Sequence, residues 1–330
     1  MPESVQTAAP PRILVVGSIN QDVVVRVQHA PEAGETVLGS SLQRFPGGKG
    51  ANQAVAAARL GASVTFLGNV GQDAAGDQLV QHLNEEGICT TAIGRCPDAP
   101  TGTAWIVVED NGQNRIIVVP GANHALSPAQ VEAAAEWFAW AQIVLIQLEI
   151  PLPTVTTALR VAAQHHCRVL LNPAPAPSGE LLARYVHDWW PLVDLLVPNE
   201  PEALALASAA VPGLESAGVK GEVAAAAATS LLQQGVHQLV ITAGEQGALV
   251  ADRSFSTWVP AFPVRVVDTT AAGDAFCGGL AVALTRGESL AAAARYACAV
   301  AALSVTRAGA QPSLPTADEV SDFLRQHNVE

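Results

Sequence analysis

The feature that most constrains this chain is an alternation of two patterns. Short β-branched and aliphatic runs, Ile13–Val16, Val64–Leu67, Ile143–Leu148, Val169–Leu171, Leu195–Val197 and Leu239–Thr242, are separated by longer Ala-rich stretches. A strand that is apolar at nearly every position is buried on both faces, and helices returning between such strands leave them parallel. The stretches Ala51–Leu60, Ala74–Glu86 and Val223–Gln234 end at Gly61, Gly87 and Gly235, where a C-terminal cap is expected. The pattern predicts an α/β fold, doubly wound around a mostly parallel sheet. With 330 residues and 49% hydrophobic composition there is room for one large domain and a smaller appendage.

Two segments break the alternation. Val23–Val27 with Glu35–Phe45, and Gly102–Val108 with Arg115–Val119, are predicted hairpins, the second turning at Asp110-Asn111-Gly112 in a type I′ turn. They predict a small sheet within residues 20–45 and 99–121, projecting from a main domain of residues 12–19, 46–98 and 122–330, with 1–11 a disordered tail. Such a sheet could cover a ligand or be an ordinary edge or dimer surface, and the pattern alone leaves both open. Ser208–Gly221 is rich in Ala, Gly, Ser and Pro and is predicted to be a loose connection.

Charge narrows the partners. The formal charge is −13 with 17 Lys plus Arg and no basic run, which argues against nucleic acid and against an anionic membrane. An anionic ligand would then need helix N-termini, backbone amides or a metal ion to hold it. The five cysteines form no CxxC pair, so a reducing, cytoplasmic setting is expected. Met1–Arg12 lacks a basic stretch ahead of an apolar one, which argues against a secretory signal. Ala291–Val305 carries Arg295 and is too short for a membrane span, so a buried helix is expected.

The most specific motif runs from Asp268 through Thr269-Thr270-Ala271-Ala272-Gly273-Asp274 to Gly278-Gly279. A polar turn and small residues lead into a helix, which offers exposed first-turn amides and a dipole to an anion. Asp274 in that turn could accept a proton from an attacking hydroxyl, or be no more than a first-turn acid. In Gly47-Gly48-Lys49-Gly50-Ala51-Asn52-Gln53 paired glycines open a helix, but Walker spacing is missing. A tight turn before a capped helix is the alternative there. Asn20 and Asp22 follow the first strand, where α/β sheets bind ligands; a carboxylate and an amide there suit a vicinal diol, and equally a polar turn. Asn199, Glu200 and Glu202, and then Thr242-Ala243-Gly244-Glu245-Gln246-Gly247, also follow strands, and carboxylates there could organise hydrated Mg²⁺. His165 and His166 have no third ligand in spacing and read as solvated surface. The first strand is not followed by GxGxxG, which argues against a dinucleotide enzyme.

Together, and in this order from Arg12 to Leu324, the motifs resemble the ribokinase family of sugar kinases, the PfkB carbohydrate kinases. Separate local explanations would all have to hold at once. The resemblance implies a nucleotide- and sugar-binding α/β domain with a β-sheet lid that also forms a homodimer. It implies transfer of the γ-phosphoryl group of ATP to the terminal (5-) hydroxyl of D-ribose, giving ribose 5-phosphate. The alternatives are 2-deoxyribose, fructose or a nucleoside, and, from another class, a non-catalytic sugar-binding regulator. The Lys49 run with Asn20 and Asp22 favours a free pentose over a nucleoside.

By the same resemblance Asn20, Asp22, Gly48, Lys49, Gly50, Asn52 and Glu149 line the sugar pocket and Asp274 is the catalytic base. The amides of Ala272, Gly273 and Asp274 form the anion hole. Asn199, Thr242, Ala243, Gly244, Glu245, Gln246, Gly247, Gly273 and Cys298 contact the nucleotide, and Glu202 acts through water on Mg²⁺. Asp268, Thr270, Ser304, Arg307, Gly309 and Ser313 match a monovalent-cation site built mainly from carbonyls, which implies activation by K⁺. Three positions depart from the family pattern: Gln21 stands where Ala is common, Cys298 where Asn or His is often found, and Trp105 puts a bulky ring on a lid strand, which is expected to reshape the sugar pocket.

Overall fold

The computed structural model describes residues 9–176, 185–208 and 221–327. Most of the expected tail and nearly all of the Ser208–Gly221 connection lie outside the described residues. In chain order the strands are β1 (Arg12–Val16), β2 (Asn20–Val27), β3 (Gly39–Gly47), β4 (Ser63–Gly71), β5 (Ile93–Cys96), β6 (Gly102–Glu109), β7 (Asn114–Val119), β8 (Ile143–Ile146), β9 (Arg168–Leu171), β10 (Leu195–Leu196), β11 (Gln238–Thr242), β12 (Ala248–Asp252) and β13 (Ser256–Val259). Nine of them form one sheet in the order β13-β12-β11-β10-β9-β8-β1-β4-β5. It is parallel from β11 to β5, and β12 and β13 close one edge antiparallel.

The apolar runs form this sheet because each strand feeds two cores. Ile13 and Val15 of β1 point into one cluster and Leu14 and Val16 into the other, all fully buried. The first core is closed by the helices Lys49–Arg59, Ala272–Thr285 and Leu290–Ser304, whose small residues allow close packing. The second is closed by Leu152–Gln164, Glu200–Ser208 and Glu222–Gln233. Gly61, Gly87 and Gly235 all have positive φ after their helices, as expected of left-handed caps. The segment expected to be a buried helix forms Leu290–Ser304, and no helix among the described residues is long and apolar enough to cross a membrane.

β2, β3, β6 and β7 form a separate four-stranded sheet, ordered β3-β2-β6-β7. The expected hairpins are its outer pairs, joined by parallel pairing of β2 with β6. Glu35–Leu38, expected in the first hairpin, precede β3 and are not strand. The turn before β7 is also not type I′: Gly112 donates to the Glu109 carbonyl at 2.9 Å, and of the turn residues Gly112 alone has positive φ. That is a type I turn closed by a left-handed glycine, which absorbs the twist without straining Asn111.

The order of the large sheet sets the position of the site. From β1 the chain steps outward to β4 and β5 on one side, then returns through β8 and runs the other way to β11. β1 and β8 are thus the neighbours at which strand order reverses, and ligands of such sheets bind beyond the carboxyl ends there.

Candidate active site

The residues beyond β1 and β8 meet the helix Lys49–Arg59 end-on. Gly48 has φ 91°, and an added Cβ would lie 2.7 Å from the Asn20 amide nitrogen and 2.9 Å from the Ser18 carbonyl. Only glycine permits both this backbone and this approach. It brings Lys49 against Glu149, whose Oε2 accepts from the Lys49 amide at 3.2 Å and from the Ser18 hydroxyl. At Gly47 a Cβ would sit 2.2 Å from the Asp22 carboxylate, so the absent side chain makes room for that group.

Asn20 is buried, and its Oδ1 accepts from Asn123 Nδ2 at 2.7 Å. Asn123 itself is clamped to the Ile19 backbone in both directions. Its partnership with Asn20 was not legible in the sequence; it fixes the Asn20 side chain with its own amide nitrogen free to donate. Asp22 is pushed up to about 7, first by burial and then by the charges of Glu149 and Asp274. Lys49 answers these carboxylates: burial opposes its charge, but Asp274, Glu149 and Glu202 hold it above the ordinary lysine value.

Asp274 lies in the first turn of the helix Ala272–Thr285 and is 6% exposed. Its Oδ2 accepts from Asn52 Nδ2 at 2.9 Å and its Oδ1 from Gln53 Nε2 at 3.1 Å. Burial raises it, and Lys49, Asn52 and Gln53 pull the other way. Ala271, just before, has φ 58°, a left-handed conformation that costs a non-glycine residue about 1–2 kcal/mol. Of the three amides expected in the anion hole, that of Ala272 is engaged, donating to the Thr269 carbonyl at 3.2 Å. The turn that starts the helix consumes it. The amides of Gly273 and Asp274 have no acceptor among the described residues, and a Cβ on Gly273 would meet nothing within 4 Å. Nothing inside the protein requires a glycine there; its smallness leaves an approach to two free amides.

Two cavities adjoin this helix start. The smaller, about 220 Å³, is lined by Lys49, Asn199, Glu202, Gly273, Asp274 and Cys277 among others. The larger, about 590 Å³, continues past Thr242, Gly244, Glu245, Gly247 and Gly273 to Phe262 and Cys298. Ala243 and Gln246 do not line either. The Ala243 amide and carbonyl close the turn onto Gly247 and Gln246, and Gln246 Oε1 lies beside Gly221. Asn199 and Glu202 form a reciprocal helix cap, at 2.9 and 2.8 Å, through Glu202 Oε2 and Asn199 Oδ1. Glu202 Oε1 is outside that cap, which suits one carboxylate oxygen reaching a hydrated Mg²⁺.

The residues expected around K⁺ also converge in part. Asp268 accepts from the Thr270 amide and hydroxyl through Oδ1 and from the Gly309 amide at 2.8 Å through Oδ2. Burial works against its charge, but these donors hold it below the usual carboxylate range. Arg307 turns its guanidinium away onto Glu319, and Ser304 and Ser313 are buried with their hydroxyls on the carbonyls of Ala301 and Ala310. Asp268, Thr270 and Gly309 are thus brought together, while Ser304, Ser313 and Arg307 direct their side chains to other partners. His165 and His166 are exposed, and no cluster of three or more metal-ligating side chains occurs among the described residues.

Trp105 and Asp22 lie on opposite faces of the small sheet. Asp22 pairs with Ala104 in register, so alternation turns Trp105 to the opposite face of the small sheet, where it is 46% exposed.

The chain is similar to known proteins over nearly its whole length. A ribokinase of Haemophilus influenzae is 41% identical over 94% of this chain and 98% of its own length. A deoxyribokinase of Salmonella typhi is 38% identical over 94% and 98%. The solved structure of Arabidopsis thaliana ribokinase complexed with ribose and ATP superimposes with a TM-score of 0.84 at 32% identity, covering 96% of this chain and 99% of that one. The family described as pfkB family carbohydrate kinase matches residues 10–317. Nearly the whole chain, with the helix-start motif and the strand order that carries it, therefore belongs to the pfkB family of carbohydrate kinases, phosphotransferases that use an alcohol group as acceptor.

Proposed function

We propose that the protein phosphorylates the 5-hydroxyl of D-ribose with Mg-ATP and is activated by K⁺. The observation that carries this is the position of Asp274, between the sugar-side amide of Asn52 and a cavity reaching Lys49 and Glu202. Asn20, Asp22 and Glu149 would hold the sugar hydroxyls, and Asp274 would take the proton of the attacking one. The free amides of Gly273 and Asp274, with Lys49, would receive the transferring phosphoryl group. The nucleotide would lie along Thr242, Gly244, Glu245, Gly247 and Cys298. Bound Mg²⁺, reached through water from Glu202, would neutralise charge on the phosphates. K⁺ beside Asp268 and Thr270 would stiffen the turn that aims the amides.

The ribose assignment draws on the ribokinase relatives and on the neighbour complexed with ribose and ATP. The second reading is 2-deoxyribose, favoured by the deoxyribokinase at 38% identity. The test is ADP release with Mg-ATP and ribose, 2-deoxyribose, fructose or adenosine, each with K⁺ or with Na⁺ alone. The highest kcat/KM is expected with ribose, and stimulation by K⁺. Faster turnover of 2-deoxyribose moves the assignment to the second reading, and no turnover of any sugar leaves a binding protein.

We also propose that the four-stranded sheet closes over the sugar and pairs with a second copy. Ile117 is 65% exposed beside Trp105, with Leu42 and Val119 exposed on the same face, more contiguous apolar surface than a lone small sheet usually leaves to water. Ile117→Glu is expected to convert a dimer to a monomer in sedimentation velocity. An unchanged sedimentation coefficient, or a wild-type monomer, rejects the pairing.

A further inference from the structure

Two chains of side-chain amides end on Asp274, and the polarity of the one through Gln53 is set at its far end. The Val197 carbonyl can only accept, so Asn172 turns Nδ2 to it at 2.8 Å and presents Oδ1 to Gln53. Gln53 must then present Nε2, which reaches Asn172 Oδ1 and Asp274 Oδ1 at 3.1 Å each. Its Oε1 accepts from Gln147 Nε2 at 2.6 Å, consistent with the direction that Asn172 imposes. On the other side His82 Nε2 meets Gln311 Oε1 at 2.8 Å, Gln311 Nε2 donates to Asn52 Oδ1 at 3.1 Å, and Asn52 donates to Asp274. Arg59 holds the Gln311 carbonyl at 2.8 Å, so that residue's backbone is fixed independently of its side chain. Gln53, Gln147 and Gln311 are all buried.

Each amide thus aims a donor toward the carboxylate: the Gln53 chain cannot reverse without leaving a buried group unpaired, whereas the Gln311 chain ends on a His ring nitrogen and takes its direction from the ionised carboxylate itself. We infer that Gln53 and Gln311 are positioning residues, which keep the Asp274 carboxylate oriented toward the sugar and ionised, Gln53 directly and Gln311 through Asn52. This rests on the reading of Asp274 as the base. The groups facing Asp274 are Lys49 at the start of the helix Lys49–Arg59, Asp22 on β2, Glu149 beyond β8, Glu202 on the helix Glu200–Ser208, and Cys277 one turn along its own helix. Only Lys49, Asn52 and Gln53 favour its charged form, against burial and the neighbouring carboxylate of Glu149.

The experiment is the pH profile of kcat/KM for the best sugar of the panel, in wild type, Gln53→Leu, Gln311→Leu and Asp274→Asn, with folding checked by circular dichroism. Removing a donor to the charged form should move the acidic limb of Gln53→Leu upward by about one pH unit, and that of Gln311→Leu upward by less. A rate reduced evenly at every pH with the limb unmoved means that the glutamines only pack, and overturns the inference. Should Gln53→Leu not fold, Gln311→Leu decides alone, because Arg59 still holds its loop. Asp274→Asn separates the two readings. A dead Asn variant beside unshifted glutamine variants removes this inference only, whereas an Asn variant with wild-type rate and limb removes the base as well.

Discussion

Asp274→Asn is expected to lower kcat by about 10²–10⁴-fold, the range in which a positioned general base contributes. Asn fills nearly the same volume, so the packing around the helix start survives. What is lost is the ability to take a proton from a hydroxyl held against it. Part of the hydrogen bonding also fails. Asn52 and Gln53 both donate to the carboxylate, one to each oxygen, and the single oxygen of an Asn can satisfy only one of them without turning its own donor on the other. The larger cavity does not include Asp274, so ATP affinity should stay near wild type while turnover collapses. Steady-state ADP release together with nucleotide titration measures both. A variant within tenfold of the wild-type kcat would mean that another group, or water, takes the proton.

Why Asp274 could be singled out from sequence while its supports could not is a matter of range. The helix-start motif is one continuous run, and small residues ahead of an acid carry a local meaning: amides exposed, charge tolerated. Gln53 sits mid-helix, Asn172 and Gln147 follow strands, and Gln311 lies in a loop, none with a local signature that separates it from ordinary polar residues. Their role exists only once the chain closes, since Asn52 and Asp274 are 222 residues apart and Asn52 and Gln311 are 259 apart. The sheet divides in the same way. Its central strands were legible because burial on both faces demands unbroken apolar runs. β5 was not, because Ile93-Gly94-Arg95-Cys96 has neither alternation nor continuity and becomes a strand only by pairing with β4. β12 and β13 form an antiparallel hairpin at the edge, where a pattern read for parallel strands and helices does not look. The Ala272 amide shows the limit of reading a motif by resemblance: the residue is where it was expected, but the left-handed Ala271 turn spends its donor on Thr269.

Asp22 should control sugar affinity, and its effect should depend on pH in a direction that can be worked out beforehand. As a carboxylate it can accept from two sugar hydroxyls, each charge-assisted bond contributing about 1.5–3 kcal/mol, so Asp22→Ala is expected to weaken sugar binding by about 10²–10⁴-fold. Before sugar binds, burial and the charges of Glu149 and Asp274 raise the group to about 7. Hydroxyls donating to the charged form would lower it again in the complex, so binding near neutrality should expel a proton. Affinity is then full above about pH 7 and falls as the pH drops below it, by up to about tenfold per pH unit, until Asp22 is protonated in the complex as well. Calorimetric titration of the sugar in two buffers of different ionisation enthalpy reads the released proton directly. Asp22→Asn should bind more weakly and with a flattened pH slope, because it has no proton to expel; if the slope persists in that variant, the titrating group is a different one and Asp22 is already ionised in the free enzyme.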